Sequence, residues 1–367
     1  MPTLAEIVHA HRADYQAQFS LSPLEGQTLD ALLACRSGSL GSTLYLCSEC
    51  RQKHFVHRSC GNRHCPQCQQ HKTRQWVLHQ QSRQLPVPYF LLTFTVPQSL
   101  RRFLRSHKRL GYEALFHASS QALKKLARDP RLLGSDLAGF TGVLHTWGRQ
   151  LQYHPHIHYL VPSGAVSLDR KHWLSTSQTF FLPVQALSVI FRAQFRAAMD
   201  KAGLLALIPA EVWQHGWVVH CQPVGDGTRA LQYLARYVFR VAIANSRILE
   251  LKQGMVTFSF RDNKTGASRQ VRLKAVEFIR RFLHHLLPSG FQKVRHYGFF
   301  SPTCALSIQR IRWLIAQTTG RPMLLDLSAA EPAPGPFCPH CGGRLRVLAI
   351  QLPTSRFLDP PRLANTG

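Results

Sequence analysis

Residues 154–161 read His-Pro-His-Ile-His-Tyr-Leu-Val, and this run restricts the chain more than any other. After Pro155 the apolar, β-branched and aromatic residues predict a strand to Val161, stopped by Pro162-Ser163-Gly164. Side chains alternate along a strand, so Ile157 turns into the core while His156 and His158 share the opposite face. Two imidazoles about 6–7 Å apart on one sheet face form a chelate for a divalent cation. A half-buried strand that happens to carry histidines would read the same way in isolation, so the neighbours decide. Residues 143–147, Val-Leu-His-Thr-Trp, form a second strand-like run, joined to the first by a short polar loop. The two runs predict a hairpin. His145 then faces the same side as a third ligand. His154 is the rival, although it precedes Pro155 where the chain is still turning. Gln150 and Gln152 are weaker candidates.

Charge bounds the partner. The 367 residues carry 45 Lys+Arg against 18 Asp+Glu, a formal net charge of +27. Such an excess implies a polyanion. No run of eighteen apolar residues predicts a membrane span, no basic amphipathic helix or lipidation motif favours a membrane surface, and the first residues do not resemble a signal peptide. The cytoplasm, beside the chromosome, is the expected compartment. Apolar residues make up 45% of the chain, enough for a packed core.

Ten cysteines are present. In an unexported protein, Cys-x-x-Cys pairs argue for metal rather than disulfides. Cys47-x-x-Cys50 and Cys65-x-x-Cys68 predict one four-cysteine Zn2+ module, a loop too polar to fold unaided. Cys60 and His64 lie close enough to replace one of the four or to hold a second ion. Arg63 is one of several basic residues expected to touch DNA here. After the proline-rich stretch at residues 331–336 comes Cys338-Pro339-His340-Cys341, half of a zinc knuckle. Its partners could be Cys304, His296 or the N-terminal cluster.

Between these ends the reading is mixed. Residues 89–96 and 217–224 are strand-like. Residues 100–128, 184–202 and 275–287 are helical, and 255–261 with 268–274 form a hairpin. Residues 231–240 form a helix starting at Thr228, a plausible cap. Tyr233 and Tyr237 sit four apart, on one face and one turn from each other. Packing aromatics take this spacing too; beside a histidine chelate they become candidate nucleophiles. Arg236 and Arg240 on the same helix suit phosphate contacts. No acid lies between Asp136 and Asp169. That gap argues against water activation and for a protein nucleophile.

These motifs together resemble the HUH single-strand endonucleases, named for His-hydrophobic-His, here His156-Ile157-His158. More narrowly the chain is similar to the two-tyrosine rolling-circle transposases of bacterial insertion sequences, the insertion-sequence-91 type. The resemblance runs over roughly residues 40–345. It includes Cys60-Gly61-Asn62-Arg63-His64-Cys65, Leu144-His145-Thr146-Trp147-Gly148, the tyrosine helix, Glu277-Phe278-Ile279-Arg280-Arg281-Phe282-Leu283 and Arg295-His296-Tyr297-Gly298. It implies an α+β fold. The expected core is a central antiparallel sheet with flanking helices, preceded by a small zinc module and followed by a short knuckle-like tail. The expected divisions are residues 1–85, 86–300 and 301–367, the last with a disordered end. It further implies Mg2+ or Mn2+ on His156, His158 and His145, Tyr233 and Tyr237 as nucleophiles, and single-stranded DNA at element ends as substrate. A replication initiator or relaxase would use the same chemistry. A zinc-finger protein without catalysis would need neither tyrosine.

Overall fold

The computed structural model describes residues 1–177, 179, 181–238, 242–262, 265–320 and 335–353. The side chains of Gln70, His71, Arg236 and Tyr237 lie outside the described residues. So do the expectations for Arg240, for the proline-rich stretch at 331–334 and for the disordered end.

Two capping boxes start the chain. In α1 (Leu4–Gln16) Thr3 and Glu6 exchange side-chain-to-backbone bonds, and in α2 (Pro23–Ala34) Ser22 and Glu25 do the same, with Pro23 in the first turn. The hairpin β1 (Ser42–Cys47) and β2 (Lys53–His57) follows, then α3 (Gln70–Ser82). Next come β3 (Tyr89–Thr95), α4 (Arg101–Ser106), α5 (Lys108–Arg128), β4 (Phe140–Trp147) and β5 (Tyr153–Pro162). The helix expected over residues 100–128 is thus two helices, broken where His107 leaves helical geometry at ψ 49°. A small pair, β6 (Gly164–Val166) and β7 (Trp173–Ser175), leads to α6 (Val184–Lys201), β8 (Val218–Pro223) and α7 (Thr228–Val238). The antiparallel sheet of β9 (Ile248–Lys252), β10 (Met255–Arg261) and β11 (Ser268–Lys274) runs into α8 (Ala275–His284). The last elements are β12 (Val294–Tyr297), α9 (Ile308–Thr319) and β13 (Leu345–Gln351).

The centre is a five-stranded antiparallel sheet in the order β12-β4-β5-β3-β8. β5 lies in the middle, so both its faces are covered and the strand is almost wholly buried. Alternation sorts its side chains. Ile157, Tyr159 and Val161 pack with Phe90, Leu92 and Phe94 of β3 against Leu115 and Phe116 of α5 and Phe191 and Phe195 of α6. On the other face Leu160, Leu91 and Val143 meet Ala230, Leu231 and Leu234 of α7. His156 and His158 share that second face, under α7. A second core joins α1 and α2 to α8, whose Phe278, Ile279, Phe282 and Leu283 recur at helical spacing and form one apolar stripe. The fold is α+β, with an antiparallel central sheet, helices on both faces and cysteine-rich elements at the two ends.

The tail folds back onto the first module. β13 pairs antiparallel with β1, giving the sheet β13-β1-β2.

Candidate active site and metal centres

Register brings the histidines together. His145 on β4 is directly opposite His156 on β5, and Thr93 on β3 is opposite His158. The potential ligand nitrogens of His145, His156 and His158 all lie within 4.8 Å of one another. His145 Nδ1 is 2.9 Å from His156 Nε2, which is 3.1 Å from His158 Nε2. Two neighbouring ligands of an octahedral cation, each about 2.1 Å from it, stand about 3 Å apart, so the three rings fit such an ion. The far nitrogens of His156 and His158 are held. His156 Nδ1–H donates to the His154 carbonyl at 2.7 Å, and His158 Nδ1 meets Thr93 Oγ1 at 2.9 Å. The first bond favours the tautomer whose Nε2 lone pair faces the shared point, and the second is compatible with it, since the Thr93 hydroxyl can accept. Trp147 packs edge-on against His145 at 4.2 Å between ring centroids.

The rivals go elsewhere. His154 contributes its carbonyl to His156, and its ring is outside the set. The Gln152 side chain folds back on its own turn and accepts from the Gln150 amide. Among the described residues no carboxylate joins the histidines.

Burial keeps the rings neutral. It holds His145 and His156 well below the usual imidazole range, with neighbouring histidines adding to the effect. It lowers His158 to about 4 and His285 to about 3. His285, which the sequence reading passed over, props the β4–β5 turn: its Nε2–H donates to the Leu151 carbonyl at 3.1 Å. An unfolded chain protonates these rings near pH 6.5, whereas the native chain resists until lower pH. Their contribution to stability is therefore full above about pH 6.5 and falls as pH drops towards about 4. The thermal midpoint is expected to decline steadily from about pH 7 to about pH 4.5. A flat midpoint over that range would contradict the burial of neutral rings.

Tyr233 stands beside this set. Its ring lies 5.9 Å from that of His158, at 81°, and is 38% exposed. Residue 237 follows one helical turn later along α7. Arg101, at the start of α4, is the cation that burial and charge link to His154 and His156. Its buried Nε has no hydrogen-bond partner among the described residues. Arg63 is turned inward, where its guanidinium donates to the Phe291 carbonyl at 2.9 Å.

The cysteines are regrouped. Cys47 and Cys50 do not share a site with Cys65 and Cys68. One set is Cys35, Cys60, Cys65 and Cys68, and the other is Cys47, Cys50, Cys338 and Cys341, each with its sulfurs within 4.8 Å of one another. In the first set the closest sulfurs are 3.4–3.6 Å apart. A tetrahedral ion about 2.3 Å from each sulfur needs edges of about 3.8 Å, so the thiols fit Zn2+. The physical reason for the regrouping is the hairpin. Cys47 and Cys50 sit at its tip, and its base returns to the end of α2, where Arg36 N–H donates to the Arg58 carbonyl and brings Cys60 to Cys35. His64 is buried outside both sets, and neither Cys304 nor His296 joins them. Cys35 was missed in the sequence because it belongs to no Cys-x-x-Cys pair. Crowding perturbs the thiols. Hydrogen bonds from Cys35, Cys60 and Cys65 pull Cys68 down, while those to Cys35, Cys60 and Cys68 push Cys65 up. Only a cation lets all four be thiolates at once.

Residues 139–307 match a family model described as "Putative transposase", and residues 7–96 match one described as "Transposase zinc-binding domain". The chain is 36% identical over 319 residues to the "Putative transposase y4qJ" of Sinorhizobium fredii, covering 81% of this chain and 80% of that one. It is 26% identical over 348 residues to the "Transposase for insertion sequence element IS801" of Pseudomonas savastanoi pv. phaseolicola, covering 89% and 83%. No solved structure matches. No helix among the described residues is long and apolar enough to cross a membrane.

Proposed function

The chain belongs to the insertion-sequence-91 type of transposase with an N-terminal zinc-binding domain, and from that premise we propose that it cuts and rejoins single-stranded DNA at element ends through Tyr233 and Tyr237. The observation that carries the reading is the set of three converging histidines beside a half-exposed tyrosine ring.

A tyrosine phenol attacks a backbone phosphorus. The bond from phosphorus to the 3′ oxygen breaks, the phenolic oxygen takes its place, and a 5′-phosphotyrosine forms. The phenol loses its proton to water, and the departing 3′ oxygen gains one from water. A free 3′-hydroxyl reverses the step at a new strand, so the phosphoester count is unchanged and no nucleotide energy source is consumed. A phenol with an ordinary pKa of about 10 is a weak nucleophile, so it needs an electrophile prepared for it. Mg2+ or Mn2+ on His145, His156 and His158 would supply polarisation of the non-bridging phosphate oxygens. The positive charge of Arg101, which is felt at His154 and His156, favours a phosphate near the histidines, and α7 holds the attacking side chain over the sheet. The cysteine set built on Cys35, Cys60, Cys65 and Cys68 holds Zn2+ and braces the module beside Trp147 and Leu151.

A joining assay tests the proposal. Two distinguishable single strands, one carrying the element's own end, are incubated with the protein and Mg2+ or Mn2+. A hybrid strand formed without ATP is the expected product. Shortened strands bearing free 5′-phosphates, with no hybrid, would mean hydrolysis and would overturn it.

A further inference from the structure

Two Cys-x-x-Cys turns from opposite ends of the chain meet in the structure. Cys47 Sγ lies 3.4 Å from Cys341 Sγ, across 294 residues, and Cys50 Sγ lies 3.7 Å from Cys338 Sγ, across 288. We propose that Cys47, Cys50, Cys338 and Cys341 hold a second Zn2+, and that this ion clamps the C-terminal knuckle to the N-terminal hairpin.

Four observations support it. The sulfur spacings approach the edge of about 3.8 Å that four thiolates keep around a tetrahedral ion. Both turns are shaped for it: Cys47 N–H donates to the Gln52 carbonyl at 3.0 Å, and in the knuckle Gly342 N–H donates to the Cys338 carbonyl at 2.9 Å. Gly342 has φ 76°, and a Cβ on Gly343 would lie 3.0 Å from the Cys47 sulfur and 2.4 Å from Glu49 Cγ. The two glycines therefore permit a tight turn and a close approach that other residues would obstruct. Outside the ligands, His54 Nε2 is 3.1 Å from Cys338 Sγ, close enough to donate to a thiolate and offset its charge.

The chemistry balances. Four thiols lose four protons, and one Zn2+ takes their place, leaving a net charge of −2 on the cluster. Lys53 and Arg346 stand opposite Leu46 in register on either side of β1, so cations flank the site. Strand pairing alone is a weak clamp here. β13 is an edge strand of a three-stranded sheet, and Val347, Leu348 and Ile350 are exposed. Small modules of this kind draw their folding energy from the metal.

The zinc count is read without DNA, so this inference stands or falls apart from the strand-joining chemistry. Zn2+ released from the full-length protein by a thiol-reactive mercurial, and measured with a chromogenic chelator, is expected at two ions per chain. The double variant Cys338→Ser, Cys341→Ser is expected to hold one. One ion in the unmodified protein, or two in that variant, would overturn the proposal. Because a variant can fail for other reasons, a second measurement starts from folded protein. A protease site placed within residues 321–334 is cut after purification. The released C-terminal piece should stay with the body on gel filtration when its cysteines are intact and separate when Cys338 and Cys341 are serine. Separation with all four cysteines present would also overturn it.

Discussion

Changing Tyr233 and Tyr237 together to phenylalanine is expected to remove every covalent protein–DNA product and to lower strand joining by at least about 10⁴-fold. The substitution keeps the rings and deletes the two oxygens. Tyr233 is 38% exposed, so its phenylalanine variant loses little packing and the loss of activity is chemical. Water cannot replace the phenol effectively, since among the described residues no carboxylate accompanies the histidines as a base. The single variants separate the two nucleophiles: the one that acts first blocks the first cut, and the other leaves cutting but impairs transfer. Full joining by the double variant would show that neither oxygen is the nucleophile.

The second large effect is on the sheet. His156→Ala with His158→Ala is expected to reduce cutting by at least about 10³-fold, because the polarisation supplied by a cation is worth several kcal/mol and each tenfold in rate is about 1.4 kcal/mol. Affinity for single-stranded DNA should change less than about threefold, and its steep fall with salt should persist. Burial holds His156 and His158 neutral, so they add nothing to the attraction that the +27 charge exerts on phosphate. Unimpaired cutting by this variant would remove the histidine set from the mechanism, and loss of DNA binding with the fold intact would show that recognition and chemistry are not separable here.

What could be read in the sequence was local. The alternation in residues 155–161 fixes which β5 side chains share a face, and the hairpin reading puts His145 on the same side; the register then sets it opposite His156. The amphipathic stripe of α8 and the pairing of β10 with β11 are likewise written in short-range patterns. Long-range partnership was not. Spacing proposed Cys47 and Cys50 with Cys65 and Cys68 because they are the nearest pairs along the chain, yet the β1–β2 hairpin separates the pairs in space. Cys341 reaches Cys47 across 294 residues; half a knuckle announces that it needs partners, with the N-terminal cluster among the choices, but spacing does not pick between them. The cysteine count held a clue: two sets of four use eight of ten, leaving Cys221 and Cys304. His285 and Arg101 were invisible for another reason. Each acts through burial and a neighbour supplied by a distant strand, and neither sits in a motif.

The protein is mixed with a single strand from its element's own end, in Mg2+ or Mn2+, under conditions where the downstream product dissociates after cutting. The covalent product is digested and the modified peptide sequenced by mass spectrometry. The expected adduct is a nucleotide joined through a 5′-phosphate to Tyr233 or Tyr237 of α7. An adduct on any other residue, or cut DNA with no adduct at all, would contradict it.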